Sequence, residues 1–332
     1  MHIPENYLSP TTCAVMGAAM VPVLAVAIKK VRKEVPPEKM PLIGVGAAFA
    51  FLVMMFNVPL PGGTTGHAVG AVLAAVLLGP YAACLAVTVA LALQALLFGD
   101  GGVLALGANC FNMAFVMPMV GYGVYTLCKS AVKKPAGAYA GMALGGYVGL
   151  NAAALFTAVE FGLQPALFAA PDGTPLYCPY PLSVSIPAMM APHLLVAGFI
   201  EAAFTALVGA FVMKAAPEAL DDARGGGRRQ VAVYALVAAM ICLAPLGLLA
   251  AGTAWGEWGA EEIAEVVTGG KALGFVPAGL ENGFSFEALM PDYTVAGLPE
   301  TAGYVLCALF GAAVSIILFR LLAGLGKRRR TA

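Results

Sequence analysis

The chain alternates between long apolar runs and short polar breaks. Several runs reach the roughly 20 residues that a helix needs to cross a bilayer. Nine are separable, at approximately 11–28, 41–58, 67–79, 81–98, 111–128, 136–160, 185–213, 231–252 and 303–323. The pattern predicts an all-α polytopic membrane protein. The third run is too short to cross alone at about 1.5 Å of rise per residue. The segment before it is therefore expected to lie at membrane depth, buried in protein, where irregular main chain is tolerated.

Polar punctuation divides the chain. Residues 214–230, with Pro217, Asp221, Asp222 and the run Gly225-Gly226-Gly227, read as a linker. A seven-helix domain at 1–213 precedes it, and a part with two further transmembrane helices at 231–332 follows it. Between those last two helices lies a polar segment rich in carboxylates, from Glu257 to Glu300. Solvation of an external loop accounts for these charges, and attraction of metal cations is a secondary effect they allow.

Lys and Arg favour cytoplasmic loops. With nine crossings and the N-terminus outside, every basic residue except Lys271 falls on the cytoplasmic side, in clusters at 29–39, 129–134, 214–229 and 320–330. The expected location is the inner (plasma) membrane, multi-pass, with the C-terminus in the cytoplasm. Met1-His2-Ile3-Pro4-Glu5 has no basic region before the first apolar run, so the initiator end is expected to survive outside.

Composition narrows the function classes. The chain is 61% hydrophobic and 11% charged, against about 25% charged in soluble domains, which excludes a water-soluble enzyme. Net charge is zero, so no bulk field draws nucleic acid or another polyanion to it. The seven cysteines are scattered without a CxxC spacing and read as small buried apolar residues. No HExxH motif or paired-aspartate arrangement points to an intramembrane enzyme.

The chain holds three histidines. His2 stands beside the free amine of Met1. The α-amine and the deprotonated His2 backbone nitrogen close a five-membered chelate ring, and that nitrogen with the imidazole Nδ1 closes a six-membered one. Fused rings of this kind are planar, a geometry that suits Ni(II) or Cu(II) and not tetrahedral zinc. His67 is the candidate for the remaining position. It ends the loop Pro59-Leu60-Pro61-Gly62-Gly63-Thr64-Thr65-Gly66, which glycine and proline allow to fold inward, just before the short run. Asp100, Asn109 and Asn112 flank a glycine-rich loop and are placed to hydrogen-bond the metal-binding loop, with ordinary turn formation as the competing role. His193 and Glu201, eight residues apart in the seventh long run, motivate an alternative, a proton-coupled secondary metal transporter.

The opening Met-His-Ile-Pro-Glu-Asn-Tyr-Leu-Ser-Pro, the Gly-Gly-Thr-Thr-Gly-His loop and the segment from Gln94 to Asn112 resemble the nickel/cobalt substrate-capture components of energy-coupling factor transporters, the CbiM/NikM family. Residues 231–332, with Pro291-Asp292-Tyr293, resemble the NikN/CbiN accessory subunit. The resemblance implies a metal held by the N-terminal amine, the second-residue amide and imidazole, and a loop histidine, matching Met1, His2 and His67. It also implies import of Ni(II), less favourably Co(II), with partners: a coupling transmembrane subunit and ATPase subunits. The chain itself has no GxxxxGK[ST] phosphate loop, and Gly326-Lys327 is followed by Arg328. Ala14 and Ala18 form a small-xxx-small pair that would permit close packing against a coupling subunit, and the abundance of alanine in the chain makes chance the favoured account of that spacing.

Overall fold

The computed structural model describes residues 1–37, 39–60, 64–215, 228–250, 252–268 and 270–331. In chain order the main elements are α1 (Pro10–Glu34), α2 (Met40–Met54), the hairpin β1 (Val58–Leu60) and β2 (Thr64–Gly66), and α3 (Ala71–Leu78). Then follow α4 (Pro80–Phe98), α5 (Leu106–Ala131), α6 (Pro135–Leu167), α7 (Leu182–Ala215), α8 (Val231–Leu249) and α9 (Glu300–Thr331). Each predicted apolar run coincides with one of these helices. Among the described residues seven helices are long and apolar enough to cross a membrane, and α2 and α3 are shorter. The third run is indeed the weak one: α3 has eight residues, and the segment before it is an antiparallel hairpin pairing Val58 with Gly66 and Leu60 with Thr64. Pro61, Gly62 and Gly63 of that loop, and residues 216–227 of the predicted linker, lie outside the described residues.

Small residues set how closely the helices approach. A Cβ at Gly121 of α5 or Gly145 of α6 would press on the carbonyl oxygen of the other, so the two main chains touch there. A Cβ at Gly311 of α9 would collide with the Phe51 ring of α2, and one at Gly44 of α2 would meet Phe319 of α9. Helix α9 thus seats directly on α2, whose residues from Ala47 to Met54 are buried on every side. By contrast α1 buries only Cys13, Met20, Ala27 and Val31, a single stripe.

Three helices widen into a π-type turn, at Gln94–Phe98 in α4, Cys110–Val116 in α5 and His193–Ala197 in α7. Such turns cluster at functional positions because they re-aim side chains. Two of them flank the loop from Gly99 to Ala105, against which the N-terminus lies.

Residues 1–9 precede α1 as an irregular segment, and Met1, His2, Ile3, Tyr7 and Leu8 are all buried. A segment outside helix and sheet lacks a regular ladder for its own main chain, so buried N–H and C=O groups need outside partners. Asn109 supplies two, accepting from Ile3 N at 2.8 Å and donating Nδ2 to Ile3 O at 3.0 Å. Gly102 N also donates to Ile3 O at 2.8 Å, and Cys178 N to Tyr7 O at 3.0 Å. The Glu5 carboxylate accepts from Val103 N at 2.7 Å and Leu104 N at 3.2 Å. Asn6 repeats the two-way amide clamp with Phe284, at 2.9 and 3.0 Å. The segment ends at Ser9, whose Oγ accepts from Thr12 N at 3.0 Å and caps α1, with Pro10 in the first helical position.

Replacing Asn109 by Ala leaves the buried Ile3 N–H without its partner and the Ile3 carbonyl with Gly102 N alone, a cost of about 1–3 kcal/mol. Hydrogen exchange at the Ile3 and Gly102 amides is expected to speed up by about tenfold or more; unchanged exchange would mean that the clamp does not hold the segment.

Candidate metal centre

The buried segment delivers His2 to the end of the hairpin loop. His2 Nδ1 lies 3.2 Å from His67 Nε2, with the ring centroids 5.0 Å apart. Two nitrogens bound cis to one metal at about 2.0–2.1 Å lie about 2.9 Å apart, so this spacing is close to that of a shared ligand pair. Each ring is oriented through its other nitrogen. His67 Nδ1 donates to the Ala68 carbonyl at 3.0 Å, which leaves Nε2 with the lone pair. His2 Nε2 faces Gln94 Oε1 at 3.3 Å. His67 keeps some accessible surface.

The Met1 amine is paired with Glu257 Oε1 at 2.9 Å. Asp100 Oδ1 lies 3.2 Å from His2 Nδ1. Asp100 Oδ2 in turn receives the Gln94 amide at 3.1 Å and the Tyr293 hydroxyl at 2.5 Å. Burial, then the Asp100 charge beside it, pushes the Tyr293 phenol well above its ordinary range, so it stays a donor. Among the described residues no group of three or more His, Cys, Asp or Glu side chains is arranged to hold a metal ion.

Met1, His2, His67 and Asp100 come together, and Asn109 supports them by holding Ile3. Asn112 does not join them. Its Nδ2 donates to Glu160 Oε2 at 2.8 Å and Thr157 Oγ1 at 3.1 Å, because the π-type turn after Asn109 rotates it toward α6. Glu201 also has a different place from the one its spacing to His193 suggested. It accepts from Val69 N at 2.8 Å, Gly70 N at 3.2 Å and Thr205 Oγ1 at 3.2 Å, so it anchors the main chain just beyond His67. His193 Nδ1 bonds its own helix at Met189 O, 2.7 Å away.

Gln94, Glu257, Tyr293 and Glu5 are named by the sequence only within longer segments, without individual places at the centre. Gln94 had one available signal, a polar residue inside the apolar run of α4. Glu257 and Tyr293 reach the site across 256 and 199 residues, and no local spacing reveals such contacts.

A family model described as the cobalt uptake substrate-specific transmembrane region, CbiM, matches residues 2–219, and one for the PDGLE domain matches residues 229–328. The probable fused nickel transport protein LarMN of Lactiplantibacillus plantarum is 50% identical over 322 residues, spanning 96% of this chain and 97% of that protein. The fused nickel transport protein NikMN of Rhodobacter capsulatus is 47% identical over 346 residues, covering 100% of both. A crystal structure of a truncated transition metal transporter is 62% identical, covers 64% of this chain and 99% of its own, and superposes with a TM-score of 0.61. The chain therefore belongs to the CbiM family of cobalt uptake substrate-specific transmembrane proteins, with a PDGLE domain following in the same polypeptide.

Proposed function

We propose that this chain is the substrate-capture component of an energy-coupling factor transporter that imports Ni(II), with Co(II) as the less favoured cargo. The observation that carries the reading is His2 Nδ1 facing His67 Nε2 at 3.2 Å. Nδ1 is the ring nitrogen that closes the six-membered chelate with the His2 backbone nitrogen, and His67 brings its unprotonated nitrogen to the same point. The clamp on Ile3 begins one residue later, so the main chain of Met1 and His2 is the part left to the cargo. The amine, the backbone nitrogen, Nδ1 and His67 Nε2 then make four nitrogen donors in a plane, which favours Ni(II) over metals that prefer tetrahedral or octahedral oxygen-rich sites. Glu257 and Asp100 place negative charge beside the cation.

The basic clusters support an orientation with the N-terminus and the segment carrying Glu257 outside and the C-terminus in the cytoplasm of a plasma-membrane protein. Capture then occurs on the outer side. Power for inward release comes from a coupling membrane subunit and ATPase subunits, since no phosphate loop is present in the sequence. The three bonds that Glu201 accepts near His67 favour this reading over a proton-coupled transporter, because they give the carboxylate a structural task within the capture site.

Purified full-length chain is expected to bind one Ni(II) per polypeptide. His67→Ala, or two residues added before Met1, should weaken binding by more than the roughly 10–100-fold that loss of an outer hydrogen-bond partner costs. Equal binding by all three proteins would remove the N-terminal centre from consideration. Amine and imidazole donors bind metal only when unprotonated, so apparent affinity should fall steadily from pH 7 to about pH 5, where ordinary imidazole is mostly protonated. Titration calorimetry across that range reads this directly, and a flat profile would point to oxygen ligands instead.

A further inference from the structure

We propose that Tyr293 is a positioning residue of the capture centre: through Gln94 and Asp100 it fixes which ring nitrogen of His2 is turned to the cargo. This rests on the reading of His2 as a metal ligand. The argument is one of donor and acceptor counting. The Asp100 carboxylate accepts only, so the Gln94 atom 3.1 Å from its Oδ2 is the amide nitrogen. The Tyr293 hydroxyl approaches the same oxygen at 2.5 Å and donates to it. Its own oxygen then accepts the second Gln94 N–H at 3.0 Å. With both N–H groups spent, Gln94 presents its carbonyl Oε1 to His2 Nε2 at 3.3 Å. An acceptor at that position requires a proton on Nε2, so Nδ1 is the nitrogen left for the cargo. Asp100 Oδ1 stands 3.2 Å from that same Nδ1 and puts its negative charge beside the cargo position.

The phenol is locked in place. It stacks on Phe98 with centroids 4.8 Å apart and meets Tyr304 edge-on at 5.4 Å and Phe51 at 6.3 Å. Tyr304 is itself tied to Met55 O at 2.7 Å. The turn that inserts the ring holds two successive non-glycine residues in left-handed conformations, Asp292 at φ 52 and Tyr293 at φ 57. L residues avoid this region, and such strain persists where the surrounding contacts enforce it. Tyr293 belongs to the part that the PDGLE model matches. The orientation of His2 is thereby made to depend on the C-terminal part of the chain.

With only three histidines, histidine labelled with nitrogen-15 resolves the rings in the full-length protein, and His67→Ala assists the assignment. In metal-free wild type the His2 Nε2 nitrogen is expected to carry a slowly exchanging proton. In Tyr293→Phe, which keeps the ring in its stack, that proton should exchange faster and Ni(II) affinity should fall roughly 10–100-fold, with the thermal midpoint of unfolding close to wild type. Asp100→Ala removes the common acceptor by a different route and should give the same change in the His2 signal, which keeps the test open if the first variant does not fold. Wild-type His2 signals and wild-type affinity in Tyr293→Phe overturn the inference alone if His67→Ala has lost Ni(II). If His67→Ala binds as wild type does, the metal reading falls, and the inference with it.

Discussion

A main chain outside helix and sheet, buried inside a helix bundle, has no regular internal way to satisfy its N–H and C=O groups, and the arrangement of this protein's candidate centre follows from meeting that demand. Residues 1–9 are such a chain. Asn109 at the start of α5, Gly102 in the loop between α4 and α5 and Cys178 in the segment between α6 and α7 bond its main chain, and the N–H groups of Val103 and Leu104 hold its Glu5 side chain. The Ser9 cap then turns the segment into α1, so its register is set from both ends. His2 has little freedom once Ile3 is clamped.

Two carboxylates play matching parts on either side of the histidine pair. Glu5, three residues after His2, binds successive main-chain N–H groups at 103 and 104. Glu201 binds successive N–H groups at 69 and 70, just after His67. Each fixes the backbone next to one histidine without touching the imidazole itself. The C-terminal part adds a third layer, in which Glu257 pairs the amine and Tyr293 reaches Gln94 and Asp100. Helix α9 is held against α2 through Gly311 and Gly44, and this contact brings that layer to the centre.

Much of this was legible in the sequence, for physical reasons. Each of the nine apolar runs coincides with a helix among the described residues, seven of them long enough to cross a membrane, because a bilayer imposes length and composition on each crossing. The short third run correctly marked irregular backbone before His67. His2 and His67 stood out because the chain has only three histidines and one of them abuts a free amine. What escaped was register and long-range pairing. Asn109 and Asn112 look equivalent along the chain, yet one π-type turn sends them to different neighbours. Glu201 and His193 looked like a pair by helical spacing, while the structure gives each a separate partner. Tyr293 was visible only as part of a motif, since its strained turn and its aromatic stack depend on residues more than a hundred positions away.

The most direct test of the central claim is nickel K-edge X-ray absorption on the Ni(II)-loaded full-length protein. Four nitrogen donors in a square plane, with no sulfur and no set of oxygen ligands, are the predicted result. A six-coordinate spectrum dominated by oxygen would contradict it, and would move the cargo site away from Met1, His2 and His67.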